Sequence, residues 1–257
     1  MERELTPILF VGHGSPMNAM EDNQFSQAWD EMGRVLPRPR AILCISAHWE
    51  TAGTRITAMP KPKTIHDFYG FPRPLYEKQY PAPGDPELAA GIQRALGEQS
   101  IKLDNDWGLD HGTWSVLCRM FPQADIPTLQ LSLDAYQPAV FHYQLGQKLK
   151  YLRRQGILII GSGNIVHNLG LMAWQETAFD WAQAFDIQLA ALIQAGDHQR
   201  LIDYNTLGDS AHQAIPTNEH YLPLLYILAM QEKDETPFFF CEKVTLGSIS
   251  MRSFRLG

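Results

Sequence analysis

Short, continuous apolar runs punctuate the chain, and the longer intervals between them carry apolar residues at helical spacing. Residues 5–11 form the first such run, of the kind found in strands covered on both faces. The interval 24–36 places Phe25, Trp29, Met32 and Leu36 on one side of a helix, and Pro37 and Pro39 end it. A second apolar run over 40–47 follows at once, so the opening reads as a right-handed β-α-β unit. Residues 54–59 offer a further strand. Beyond them the periodic signal stops.

Residues 60–86 are rich in proline and carry Phe68, Tyr69, Phe71, Tyr76 and Tyr80. That proline density excludes helix, and an ordered loop of this length in a compact fold is usually functional. Helical periodicity resumes over 86–98, and Asp110-His-Gly at 110–112 leads into another helix. A strand over 127–132 precedes a helix at 138–153, and a strand over 156–161 ends in Ser-Gly-Asn. Helices at 177–195, 197–204 and 219–231 occupy most of the remainder, and 238–240 and 245–251 close the chain as strands. Strands alternating with helices predict one α/β domain over residues 1–257, with three α/β/α layers and a central, mostly parallel sheet. No linker, repeat or low-complexity segment divides it.

Charge and cysteine usage narrow the partners. A net charge of −7 argues against nucleic acid, whose phosphates require a basic face. Cys44, Cys118 and Cys241 are scattered among apolar neighbours without a CxxC, as expected of buried free thiols in a reducing, cytoplasmic setting. The start Met-Glu-Arg-Glu is not followed by the apolar core of a signal peptide. The longest apolar stretch, 221–230, is too short for a membrane span and contains Pro223.

The candidate chemistry lies in the histidines. In α/β folds ligands gather beyond the carboxyl ends of the strands, and His13, His48 and His167 all fall at or just past such an end. Three imidazoles in one structural position point to a metal site. In Pro216-Thr-Asn-Glu-His-Tyr-Leu-Pro223, Thr217 or Asn218 can cap a helix whose first turn presents Glu219 and His220. His220 is the better further ligand, although two histidines and a carboxylate also form an iron(II) arrangement. His111 reads as a group near the substrate or behind the ligands. His66, His142, His198 and His212 lie in loop or solvated-helix contexts and receive no role. Gly12-His-Gly14 and Gly161-Ser-Gly163 lack the third glycine of a dinucleotide loop, since Met17 and Val166 stand there. GxSxG, HExxH and P-loop motifs are absent.

The set Gly12-His-Gly-Ser-Pro16, Ser46-Ala-His-Trp49, Thr64-Ile-His-Asp-Phe68, Leu109-Asp-His-Gly-Thr-Trp114, Gly161-Ser-Gly-Asn-Ile-Val-His-Asn-Leu169 and Glu219-His-Tyr-Leu-Pro223 resembles the class III extradiol ring-cleavage dioxygenases of the subunit-B-like type. Within them it is most similar to the 4,5-DOPA extradiol group. The resemblance runs in order across nearly the whole chain. It implies a metal held by His13, His48 and His220, with His167 as acid–base group near enough to approach the ion, and His111 close to the substrate. It implies iron(II) for catalysis, with zinc able to occupy the site. The reactants would be a small catechol and dioxygen, and the protein a monomer or small homo-oligomer. His167 would then need a pKa near the working pH. Tyr69 departs from the family pattern, where glycine can stand, and so bears on ring-pocket size and substrate. A zinc hydrolase and a non-catalytic metal or small-molecule binder are the alternative readings of the same histidines.

Overall fold

Strands buried on both faces need apolar side chains at successive positions, and the runs found in the sequence meet that need. In a computed structural model describing residues 5–257, the chain in order forms β1 (Ile8–Gly12), α1 (Gln24–Val35), β2 (Ala41–Thr51), β3 (Arg55–Thr57), β4 (Lys63–Thr64), α2 (Arg73–Glu77) and α3 (Pro86–Leu96). It continues through β5 (Lys102–Asp104), β6 (Gly108–Leu109), α4 (His111–Met120), β7 (Thr128–Asp134), α5 (Ala139–Leu149) and β8 (Ile157–Gly163). It ends with α6 (Asp180–Ala195), α7 (His198–Ile202), α8 (Asp209–Ala214), α9 (Leu222–Ala229), β9 (Phe238–Phe240), β10 (Val244–Thr245), β11 (Ile249–Ser250) and β12 (Ser253–Leu256). The reading of the first four residues lies outside the described range.

Eight strands make one sheet in the order β5-β3-β7-β2-β8-β1-β12-β9. Its centre, from β7 to β1, is parallel throughout, with Ile8 opposite Ile159 and Leu43 opposite both Leu129 and Ile159. Alternate residues of these strands feed two cores. Ile8, Phe10, Leu43, Ile45, Ile157 and Ile159 face α3, α5, α6 and α9, whereas Leu9, Val11, Ile42, Cys44, Leu158 and Ile160 face α1, α2 and α4. The result is the three-layer α/β/α arrangement with a mostly parallel sheet.

Several local expectations are revised. β1 and β2 run parallel on either side of β8, which pairs both, so the opening β-α-β unit spans one intervening strand. β2 continues past residue 47 to Thr51, through an irregularity between Ile45 and Glu50 where its register to β7 shifts. The proline-rich segment does contain one helical turn, α2, because Pro74 falls in the first turn, where its missing N–H costs nothing. The helix expected over 138–153 becomes α5 followed by a 3₁₀ piece at Lys150–Gln155. The one expected over 219–231 starts only at Leu222. The span 245–251 is a β10–β11 pair, and the strand that completes the sheet is β12, antiparallel to β1. Cys44 and Cys118 are buried free thiols, while Cys241 is half-buried.

His142 is not solvated but fully buried on α5, sharing a 3.0 Å hydrogen bond with the Tyr226 hydroxyl of α9. Burial, partly opposed by Asp134, lowers its pKa to about 4. The unfolded chain, with an ordinary histidine, binds the extra proton between pH 6.5 and 4, so stability falls as pH drops through that window. Between pH 7.5 and pH 5, urea unfolding should show wild type losing about 2 kcal/mol more than His142→Gln. Equal losses would remove His142 as the cause.

Candidate active site

The carboxyl ends of β1, β2 and β8 lie side by side, and backbone hydrogen bonds lock the turns leaving them. His13 N–H donates to Gly163 O at 3.2 Å, and Asn164 N–H donates to His220 O at 2.9 Å. Gly163 is required there, since a Cβ would sit 2.1 Å from that same carbonyl of His220. Gly14 adopts φ +57°, turning the chain away immediately after His13. Asn18 Nδ2 then donates to His13 O at 3.1 Å and holds the turn closed.

All five histidines singled out in the sequence converge here. The ring of His13 lies 5.0 Å from that of His48, 5.3 Å from His220 and 5.7 Å from His111. His48 is 3.9 Å from His111 and 4.9 Å from His220, and His167 stacks on His220 at 3.5 Å with 8° between planes. The Nε2 atoms of His13 and His48 are 3.0 Å apart. Ring nitrogens of His13, His48 and His220 all lie within 4.8 Å of one another, a spacing one ion could bridge. Among the described residues, His167 shares such a group only with Glu219 and His220, and His111 only with His48 and Asp67.

Placement differs in detail from the sequence reading. His48 sits within β2, at the irregularity that turns its ring toward the cluster, rather than beyond the strand. His220 and Glu219 occupy the turn before α9 instead of its first turn, and the Asn218 carbonyl accepts from Tyr221 N–H and Leu222 N–H. His111 opens α4, with the Asp110 carboxylate capping through Thr113 N–H. His167 is fixed through its backbone, donating to Ala214 O and bridging to Ile249.

Each inner histidine has a partner behind it. Ser162 Oγ, 3.0 Å from His13 Nδ1, donates to Gly112 O. Asp67 Oδ2 lies 3.5 Å from His48 Nδ1 and 3.0 Å from His111 Nδ1, while its other oxygen accepts from His111 N–H. Glu219 Oε1 is 3.0 Å from His220 Nδ1 and also accepts from Thr217 Oγ1. Such partners select the tautomer and aim the outer nitrogen at an ion. Glu219 therefore orients His220 rather than replacing it. Ser162 and Asp67 received no role in the sequence reading. Both fall inside stretches that carry the family resemblance, Thr64-Ile-His-Asp-Phe68 and Gly161-Ser-Gly-Asn-Ile-Val-His-Asn-Leu169, which marked the segments without giving either side chain a task.

Burial in this cluster keeps the rings of His13, His48, His167 and His220 neutral. Burial pushes His13 and His220 well below the ordinary histidine range, with the neighbouring imidazoles adding to the effect. His48 falls to about 3 by burial and by His111, against the pull of Asp67. His167 falls to about 4, chiefly by burial with Glu219 opposing, and so lies below the near-neutral value expected of it. The Asp67 carboxyl is held below its usual range because the facing imidazoles outweigh its burial. Three neutral imidazoles presenting lone pairs to one point suit a divalent transition metal.

Above the histidines opens a cavity of about 410 Å³, walled by Phe68, Phe71, Met172, Leu246 and Ile249 and rimmed by Tyr69 and Trp174. Its dimensions and apolar wall suit a small aromatic molecule lying over the imidazoles.

Residues 7–250 match the family described as the catalytic LigB subunit of aromatic ring-opening dioxygenase. The chain is 45% identical to the 4,5-DOPA dioxygenase extradiol of Escherichia coli (strain K12), covering 98% of this chain and 94% of that one. It is 40% identical to the protein of the same name from Beta vulgaris, over 87% and 86% of the two chains. A crystal structure of an uncharacterized protein from Escherichia coli K12 superposes with a TM-score of 0.86 at 40% identity, covering 98% of this chain and all of that one.

If the carboxylate behind His220 sets its aim, Glu219→Gln should weaken zinc binding by ~10–100-fold at pH 7.5. His13→Ala should weaken it further. Competition against a chromophoric chelator measures both, and unchanged affinity in Glu219→Gln would mean the backbone alone aims His220.

Proposed function

Because the chain belongs to the family of catalytic LigB subunits of aromatic ring-opening dioxygenases, we propose that His13, His48 and His220 hold its metal, with His167 as the acid–base group and His111 beside the substrate. The protein is an extradiol dioxygenase that opens the ring of catechol-like substrates with dioxygen, and such enzymes are metal-dependent. The hydrolase and binder readings of the histidines give way to that chemistry. One observation carries the site assignment: three neutral imidazoles, those of His13 and His220 buried and that of His48 half-buried, meet at the floor of a cavity with aromatic and aliphatic walls. Iron(II) is the ion we assign for catalysis, with zinc able to occupy the same nitrogens. The nitrogens of His13, His48 and His220 would hold the ion, and iron(II) would supply there the redox chemistry between catechol and dioxygen that redox-inert zinc would not. We also read the chain as a single catalytic domain, since β1 and β12 pair across almost its whole length.

The remaining steps belong to side chains. Phe68 and Phe71 meet edge to face at 5.2 Å and form a ring-sized wall beside His111. A catechol set against them directs its hydroxyls to the histidine floor. His167 enters as a free base, since burial keeps it neutral. It accepts a hydroxyl proton, and the catecholate so formed stabilises the resulting imidazolium by charge. Stacking on His220 keeps the His167 ring fixed during that exchange and for the later return of the proton. His111, oriented by both oxygens of Asp67, offers its outer nitrogen to charge that develops on oxygen. The acyclic product of extradiol cleavage is a muconic semialdehyde, which for a DOPA-like substrate can close on its amine.

Protein loaded anaerobically with iron(II) should consume oxygen on mixing with DOPA in air and develop a yellow semialdehyde absorbance. His167→Ala should lower kcat by ~10²–10⁴-fold with metal content unchanged. No oxygen uptake with any catechol would defeat the assignment.

A further inference from the structure

The rim of the cavity differs from its floor in both charge and packing. Among the described residues, no arginine or lysine lines the cavity, and Asp67 is the one wall residue with a formal charge at neutral pH. Two aromatic rings at the rim are almost bare: Tyr69 is 94% and Trp174 86% exposed. Around Trp174 the backbone is held, with Ala173 N–H donating to Leu246 O at 2.8 Å and Thr177 N–H to Gln175 O at 2.8 Å. The indole therefore projects from a fixed backbone while leaving its own faces unpacked. Single exposed aromatic residues are ordinary. Two of them at the rim of a catalytic cavity, with no cation on their faces, are a recognition surface for whatever leaves the cavity.

That surface has a sign. The faces of tyrosine and tryptophan carry negative quadrupole charge and attract ammonium groups. An anionic tail would meet those faces and the Asp67 carboxylate without any guanidinium or ammonium to pair with, on a protein of net charge −7. We infer that Tyr69 and Trp174 select catechols whose ring substituent ends in a cationic or neutral group and disfavour those ending in a carboxylate. This rests on the ring-opening reading of the cavity. For an amino-acid substituent, the amine is the end that the rim reads and the carboxylate is left to water.

Three catechols of matched size test it: one with an aminoethyl tail, one with an ethyl tail and one with a carboxyethyl tail. At pH 7 kcat/KM should run amine, then ethyl, then acid, with the first and last about ten-fold or more apart and the difference residing in KM, as face attraction and unpaired-charge repulsion act together. Trp174→Ala should shrink the amine-to-ethyl ratio of kcat/KM toward one, with the change carried by KM for the amine. Without oxygen, the amine should quench tryptophan fluorescence on binding more tightly than the acid does, and Trp174→Phe should lose that quenching. Equal kcat/KM for amine and acid, or a ratio untouched by Trp174→Ala, would overturn this inference alone. Failure to open any of the three rings would overturn the substrate reading beneath it.

Discussion

The site depends on two backbone hydrogen bonds at the edge of the sheet. His13 N–H to Gly163 O and Asn164 N–H to His220 O tie the ends of β1 and β8 to the turn before α9. Neither involves a side chain that does chemistry. They nevertheless set the separation of two imidazoles that come from opposite ends of the chain. The His220 carbonyl reaches the β8 backbone because residue 163 has no Cβ. Any larger residue would push the turn outward and carry His220 away from His13. β12, inserted beside β1, holds the other flank of that strand and keeps its end from moving.

Crowding imidazoles at this edge has an electrostatic consequence. Their mutual repulsion and their burial both act against protonation, so the cluster settles with its lone pairs exposed to one another. Carboxylates are kept one layer back. Glu219 accepts from the inner nitrogen of His220, Asp67 places a carboxylate oxygen beside those of His48 and His111, and Asp110, fully buried, accepts from Ser46 Oγ, Thr113 N–H and Gln130 Nε2 while capping α4. Burial of Asp110 and the nearby Asp67 charge raise its pKa to about 6. The layering makes the floor an acceptor for a cation and the walls a water-poor space above it.

Much of this was legible in the chain, and the misses share a cause. A strand that ends in Gly-His or Ala-His announces itself by its apolar run, so His13 and the fold class could be read locally. His48 could be found but not placed, because the irregularity in β2 is set by its register against β7, a distant segment. His220 was assigned to a helix because the run 221–230 is apolar throughout, and periodicity cannot say where such a helix begins. β12 was missed for the same reason in reverse: Ser253-Phe-Arg-Leu256 is short, polar in half its positions, and gains strand identity only from β1. His142 was read as solvated since its burial comes from α9, more than eighty residues on. Asp67 and Ser162 lie in stretches that carry the resemblance, but their tasks cannot be read locally because each is defined by the histidine it backs.

The floor and the rim thus obey different physical rules. At the floor, every position is over-determined by sheet pairing, capping and hydrogen bonds, as chemistry at fixed distances requires. The proline-rich segment achieves similar order with little regular structure between β4 and α2: Ile65 N–H donates to Leu109 O and Trp114 Nε1 to Ile65 O, anchoring the stretch that delivers Asp67 and Phe68. The next residue, Tyr69, stands free in solvent. Stiffness is therefore spent within a few residues of the histidines and released at the opening, where substituents of different shapes must pass. A single segment carries both properties because proline limits its backbone while leaving the aromatic side chains to pack or to project, according to how near they lie to the sheet.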